Sequence, residues 1–355
     1  MQTTFSQKKI SGILGILPEN SYSFEDETTN FPPTRAKRLK KVMGYGQRRR
    51  AKINTTSSDL CISGLKYLFD NEKLKPDDIG AIIVVTLTPD YFIPHISNII
   101  HGVFDLDNKV ICLDIAQACT GYILGLFEAF MLLEHIGSKK VVLCTADILH
   151  RKEKENETFD APPFGGDAAT ISIIENYHPG RKIYVDIRNY GNERNTLIYP
   201  GGAFRFPQGT QISNPIDIGD GVPRNPYTLN MDGSAVFNFA QREVPGMIDD
   251  LLSYSELNRD IIDWFFFHQP NKFMLEKLAE KAQIPQDKMY MDLVEKYGNS
   301  NSSTIPLVIA DHMSNLLTNN ECTCCLVGFG GGLSLGGIVT PIGNMEFCNI
   351  IESNL

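Results

Sequence analysis

Asp114-Ile115-Ala116-Gln117-Ala118-Cys119-Thr120-Gly121-Tyr122 follows an apolar strand pattern, Val110 to Asp114, and precedes an apolar-periodic helix pattern. Strand, short loop and buried helix in this order are the unit of an α/β fold. The loop puts Cys119 at a helix N-terminus. There the unpaired N–H groups and the helix dipole favour a thiolate, so the thiol is expected to have a lowered pKa and to act as a nucleophile.

Working outward, the unit is echoed. Asp78-Ile79-Gly80-Ala81-Ile82-Ile83-Val84-Val85 is an acidic turn running into a buried strand, and Asp260-Ile261-Ile262-Asp263-Trp264-Phe265-Phe266-Phe267 repeats that pattern. A helix-like segment precedes each, Ser58 to Phe69 and Val244 to Tyr254. The strand before Cys119 has a counterpart in Met289 to Leu293, which leads into Tyr297-Gly298-Asn299-Ser300 and another helix. Lys140 to Thr145 is matched by Cys324 to Phe329. Three matched steps in one order indicate a duplication, with halves at residues 1–180 and 181–355. A Gly/Pro-rich stretch, Tyr199 to Pro226, lies early in the second half. A cleft between the halves is the expected site.

The 355 residues carry 33 Lys+Arg against 42 Asp+Glu, a net charge of −9, which argues against a nucleic-acid partner. Arg48-Arg49-Arg50 reads as a solvated loop or helix face. No apolar run approaches the ~20 residues of a membrane span, and the N-terminal run Ile13 to Leu17 is short for a secretory signal. A cytoplasmic protein with free thiols is therefore expected for the eight cysteines. Cys322-x-Cys324-Cys325 lacks a second ligand pair and reads as core, so no metal site is expected.

Partners for a cysteine nucleophile come from the second half. His268 ends the buried run of three phenylalanines and opens His268-Gln269-Pro270-Asn271, before a helix with apolar residues at Met274, Leu275, Leu278 and Ala282. Strand C-termini carry the ligand sites of α/β proteins. Asn299 stands among Gly298, Ser300, Ser302 and Ser303, which permit close approach of a substrate. Gly328-Phe329-Gly330-Gly331-Gly332-Leu333-Ser334 ends a strand with glycines whose N–H groups can serve an oxyanion hole. Phe164-Gly165-Gly166-Asp167-Ala168-Ala169 reads as a structural turn.

Cysteine, histidine and asparagine in that order on duplicated strand–helix junctions resemble the thiolase-fold condensing enzymes, and most closely the β-ketoacyl-acyl carrier protein synthase III family. Asp114 to Tyr122 matches the family's D-x-x-x-A-C-x-G-F/Y, His268 to Asn271 its H-Q-A-N, and Tyr297 to Ser300 its G-N-T/S. Gly328 to Gly332, Met231-Asp232-Gly233-Ser234-Ala235-Val236-Phe237 and Thr88-Pro89-Asp90-Tyr91 also match. The resemblance spans the chain from about Ile10 onward. It implies duplicated βα halves in a five-layer αβαβα arrangement.

The resemblance also implies chemistry. Cys119 would take an acyl group from a starter thioester, acyl-coenzyme A or acyl-acyl carrier protein. The N–H groups of Cys119 and Gly331 would form the oxyanion hole. Malonyl-acyl carrier protein would follow, with His268 and Asn299 hydrogen-bonding its thioester carbonyl while CO2 leaves. No cofactor is required. The family's W-x-x-x-R-T-G run is absent, since Arg38 to Arg48 has neither the tryptophan nor the R-T; this makes a carrier-bound starter an alternative to a coenzyme A primer. Ile93 stands where the family often has an aromatic gating the acyl pocket across the dimer. Lys272 and Lys277 are candidates for docking an acidic carrier protein. A homodimer is expected, with a heterodimer as the alternative. The divergence at residues 38–48 points to a condensing enzyme of a specialised lipid or secondary-metabolite pathway, which competes with two other readings: an acyltransferase using alcohols or amines, and a non-catalytic subunit.

Overall fold

The computed structural model describes residues 1–152, 164–207 and 225–355, so part of the Tyr199 to Pro226 stretch, residues 208–224, lies outside the described residues. Eleven strands build two sheets: β1 Gln2–Phe5, β2 Lys8–Pro18, β3 Ile79–Val85, β4 Ile111–Ile115, β5 Lys140–Asp147, β6 Ala168–Asn176, β7 Ile183–Asn189, β8 Trp264–Phe267, β9 Glu321–Gly330, β10 Ser334–Gly343 and β11 Phe347–Ser353. The first sheet runs β11-β2-β6-β5-β3-β4 and the second β1-β7-β10-β9-β8. In both, two parallel strands continue into an antiparallel pair: β3 beside β5 then β6, and β8 beside β9 then β10. That correspondence is the duplication read from the sequence.

The longer helices among the described residues are α1 Pro33–Met43, α2 Ser57–Asp70, α3 Ile96–Val103, α4 Gly121–Leu133, α5 Gly233–Ser255, α6 Lys272–Lys281 and α7 Thr304–Asn319. α4 and α7 lie between the sheets and touch both, α2 and α3 cover the outside of the first, and α5 covers the outside of the second, packed against α6. The result is the five-layer αβαβα, thiolase-like arrangement. Both faces of the inner strands are therefore covered, which is why they read as continuous apolar runs. Along β8, Phe266 joins the cluster between the sheets, while Phe265 and Phe267 join the outer cluster. Burying each such ring is worth roughly 1.5–3 kcal/mol. Among the described residues no helix is long and apolar enough to cross a membrane.

Four features differ from the sequence reading. The sheets exchange chain ends: β11, from the C-terminus, pairs with β2, and β1, from the N-terminus, pairs with β7. Met289 to Asp292 is not a strand. It runs beside β8 without a ladder, held by Tyr290 stacked on Trp264 at 5.1 Å and by Gln269 Nε2 donating to the Tyr290 carbonyl at 3.1 Å. α5 begins eleven residues before Val244, because Asp232 caps it by accepting from the Ala235 N–H at 2.9 Å, and the helix tolerates Pro245 in its interior. Finally, the arginine run is not a solvated face. Gln47–Arg49 pairs as a short strand with Ser21–Ser23, and Arg48 is 3% exposed, clasping Glu27 through Nε (2.5 Å) and Nη2 (2.8 Å). The two-pronged geometry satisfies charges that would be costly to bury alone.

Candidate active site

Four chain segments come together around Cys119, two of them carrying His268 and Asn299. The first is the loop from β4 to α4. Asp114, the first residue of the quoted stretch, accepts the N–H groups of Ile96 (2.7 Å) and Ser97 (3.0 Å), so it caps the start of α3 and fixes the end of β4. Its motif role here is structural.

The second is the glycine hairpin between β9 and β10, which is tied to the cysteine loop. Gln117 Nε2 donates to Ser334 Oγ at 3.0 Å, Thr120 Oγ1 lies 2.8 Å from the same oxygen, and Ser334 Oγ donates to the Gly331 carbonyl at 2.9 Å. Gly330 has φ of +151°, and a Cβ there would lie 2.8 Å from both Cβ and Sγ of Cys119. Only glycine leaves room for the thiol. The N–H groups of Gly331 and of Cys119 itself act on the sulfur, lowering its pKa. These are the two groups named from the sequence as an oxyanion hole.

The thiol does not behave as the helix dipole alone suggests. Burial pushes the Cys119 thiol up to about 12, and the charge of Asp147 adds to this, while the two N–H bonds oppose it. Desolvation outweighs the dipole, because a short-range dipole term cannot replace the lost hydration of a thiolate. The resting group is a neutral thiol.

The other two segments supply His268 and Asn299. His268 follows β8, and its N–H continues the ladder by donating to Val327 O at 2.8 Å. Its ring meets the Phe329 ring edge-on, 5.7 Å between centroids, one residue from Gly330. The side chain is 2% exposed, and burial pushes its pKa down to about 3, opposed by a bond with the Asn301 backbone. The ring is therefore neutral at physiological pH. Thr304 Oγ1 lies 2.8 Å from Nδ1 and can also donate to Asn301 O at 2.9 Å. When the hydroxyl donates to Nδ1, the ring carries its proton on Nε2.

Asn299 is not a helix cap. Its Oδ1 accepts the Asn301 N–H at 2.9 Å, and its Nδ2 has no partner among the described residues. The amide is thus oriented with its donor end free. Its backbone is braced by the turn that the sequence reading set aside: Asn299 N donates to Phe164 O (2.8 Å), and Gly166 N donates to Asn299 O (2.9 Å). A Cβ on Gly166 would strike the Tyr297 carbonyl. The paired glycines were the available signal. The α4 end closes on the same segment, since a Cβ on Gly121 would lie 3.2 Å from Ser302 Cβ.

The remaining candidates lie away from the thiol. Ile93 is 81% exposed on the loop before α3, beside exposed Tyr91 and Phe92. Lys272 and Lys277 are exposed on α6, and Lys277 is paired with Glu280 at 2.7 Å. Cys322, Cys324 and Cys325 are buried in β9, and among the described residues no His/Cys/Asp/Glu group could hold a metal ion.

Residues 252–342 match the family described as 3-oxoacyl-[acyl-carrier-protein (ACP)] synthase III C terminal. A Campylobacter jejuni protein, provisionally named 3-oxoacyl-[acyl-carrier-protein] synthase 3, is 30% identical over 355 residues, covering 99% of this chain and 98% of its own. The β-ketoacyl-[acyl-carrier-protein] synthase III of Oenococcus oeni is 29% identical over 91% of this chain and 95% of its own. The crystal structure of a 3-oxoacyl-(acyl-carrier protein) synthase from Burkholderia xenovorans superposes with a TM-score of 0.90 at 25% identity, covering 99% of both chains. With relatedness running end to end and the cysteine, histidine and asparagine junctions meeting in one cleft, the chain belongs to the 3-oxoacyl-[acyl-carrier-protein] synthase III family of acyltransferases.

Proposed function

We propose that this protein transfers an acyl group from a thioester to Cys119 and then condenses it, with loss of CO2, onto a malonyl group carried by an acyl carrier protein. The observation that carries this reading is the pairing of two donor sets in one cleft. The N–H groups of Gly331 and Cys119 act on the sulfur, and the free amide end of Asn299 stands with His268 on the facing junction.

In the first step the thiol sulfur bonds the acyl carbon, the carbonyl oxygen gains negative charge in the N–H pair, and the C–S bond of the donor breaks. The thiol proton leaves with the departing thiol. In the second, the malonyl carboxylate departs as CO2, and its electron pair forms an enolate on the thioester oxygen. Asn299 Nδ2 donates to that oxygen, as does His268 Nε2 when the Thr304 hydroxyl gives its proton to Nδ1 instead of to the Asn301 carbonyl. The enolate carbon attacks the acyl-Cys119 carbonyl, the C–S bond to Cys119 breaks, and the sulfur takes up a proton. Preorganised donors of this kind are worth about 10²–10³ in rate each. The chemistry asks for no metal or redox cofactor. The eight unpaired cysteines suit a reducing, cytoplasmic setting.

A homodimer fits the first sheet. Among the described residues β4 pairs on one side only, with β3, and Ile111 on it is 40% exposed. An open edge strand beside exposed Tyr91, Phe92 and Ile93 is a surface that a partner subunit would cover. In that dimer Ile93 would reach the partner's acyl pocket, where its size admits longer or branched chains than an aromatic would. Ile93→Phe is expected to shift the preferred starter to shorter chains in competition between acyl thioesters; an unchanged preference removes Ile93 from the pocket.

For the carrier protein, α1 adds to the sequence candidates. It lies against α6 and carries Arg35, Lys37, Arg38, Lys40 and Lys41 with no acidic residue in its own sequence, although Lys40 pairs with Glu25. Lys272 stands beside Gly44 at the end of α1. Lys272→Glu is expected to raise the KM for malonyl-carrier protein several-fold with kcat little changed, an effect that salt should weaken. An unchanged KM places docking elsewhere.

The reading is tested by the fate of the acyl adduct. Discharge by malonyl-carrier protein supports it. Discharge by alcohols or amines with no response to the malonyl thioester would favour simple acyl transfer instead.

A further inference from the structure

Asp147 is a buried carboxylate that the reaction above does not use. It ends β5 with no exposed surface. Its Oδ1 accepts the Leu87 N–H at 2.8 Å and lies 3.3 Å from the hydroxyls of Thr86 and Thr88. Its Oδ2 accepts from Asn301 Nδ2 at 2.8 Å.

Asn301 links this carboxylate to both cleft donors. It holds a left-handed backbone conformation, φ +56°, which side chains other than glycine adopt uncommonly and which its surroundings here hold in place. In that conformation its N–H donates to Asn299 Oδ1, and its carbonyl lies 2.9 Å from Thr304 Oγ1, the hydroxyl that is 2.8 Å from His268 Nδ1. The side chain is anchored by Asp147 and the backbone on either side orients the two donors.

We propose that Asp147 is a positioning residue: acting through Asn301, it fixes the amide of Asn299 and the ring of His268 for the condensation step. This rests on the functional reading above. It assigns Asp147 no contact with substrate. It also predicts opposite effects on the two half-reactions above about pH 7, to which burial pushes the Asp147 carboxyl, because the ionised group's charge works against thiolate formation at Cys119.

The test uses Asp147→Asn and Asn301→Gly in the full-length protein. An asparagine at 147 cannot accept from both Leu87 N–H and Asn301 Nδ2 without turning its own amide N–H groups toward a donor. Asn301→Gly keeps the left-handed backbone accessible and removes the anchor. Condensation from preformed acyl-Cys119 is expected to fall about tenfold to a hundredfold in both variants, the scale of a small misplacement of reacting groups. Alkylation of Cys119 by iodoacetamide is expected to stay within about threefold in Asn301→Gly and to become faster in Asp147→Asn, by the order of the charge effect on a buried thiol. A scaffolding role would slow both reactions together and lower the melting temperature, and that result overturns the proposal, as does unchanged condensation. Should the wild-type protein itself fail to condense, the functional reading fails, and the crystal structure of Asn301→Gly then decides: a reoriented Asn299 amide upholds the positioning role, and an unmoved one overturns it.

Discussion

Cys119→Ala is expected to remove the acyl adduct altogether, with intact-protein mass unchanged after exposure to any thioester donor. Proximity, and not thiolate content, sets this thiol apart. Burial holds the thiol up at about 12, so few molecules carry a thiolate at neutral pH. What distinguishes Cys119 from the other cysteines is its surroundings: two N–H groups act on its sulfur, and Gly330 leaves the space before it open. Those N–H groups serve the developing oxyanion when the acyl carbon arrives. Cys144, Cys324 and Cys325 lie inside strands with no exposed surface and cannot substitute. An adduct that survives the substitution would place the nucleophile elsewhere.

The second large effect is expected from Asn299→Ala. Only the amide end of Asn299 is committed to the cleft; its oxygen is held by Asn301 and its backbone by Phe164 and Gly166. Truncation therefore removes one preorganised donor while leaving the braces in place. Decarboxylative condensation should fall by about 10²–10³, the measured scale for one oxyanion donor in other enzymes. Acylation of Cys119 should be nearly unaffected, since its oxyanion is met by Gly331 and Cys119 N–H groups on another junction. Single-turnover acylation and multiple-turnover condensation, measured side by side, separate the two. Equal losses in both would show that Asn299 supports the fold of the cleft instead of the enolate.

What the sequence made legible follows from the range of the forces involved. The quoted nine residues, the phenylalanine run before His268 and the glycine hairpin are local patterns, and each maps to a strand end with its loop. The order of strands in the two halves was readable because the same apolar periods recur. Other features depend on partners far along the chain. Nothing near Arg48 announces that Glu27 will bury it, and nothing near Met289 shows that β8 will leave it unpaired and that Trp264 and Gln269 will hold it instead. The exchange of chain ends between the sheets joins residues more than 300 positions apart. The thiol's pKa was misjudged for a related reason: the helix start is visible in sequence, whereas the burial that overrides it comes from β9 and the glycine hairpin.

The brace around Asn299 was written in Gly165-Gly166, which reads as any tight turn until Gly166 is seen against Tyr297. Asp147 left no signal beyond an acidic residue at the end of an apolar strand.

The central claim is a carbon–carbon bond made at Cys119 with loss of CO2. The most direct measurement is the mass of the carrier-protein product after isolated acyl-Cys119 enzyme is mixed with malonyl-carrier protein. The account predicts a carrier protein bearing the starter acyl group extended by two carbons as a β-ketoacyl chain, with release of CO2 and return of the enzyme to its unmodified mass. An acyl-Cys119 enzyme that keeps its adduct, beside malonyl-carrier protein recovered unchanged, would contradict it.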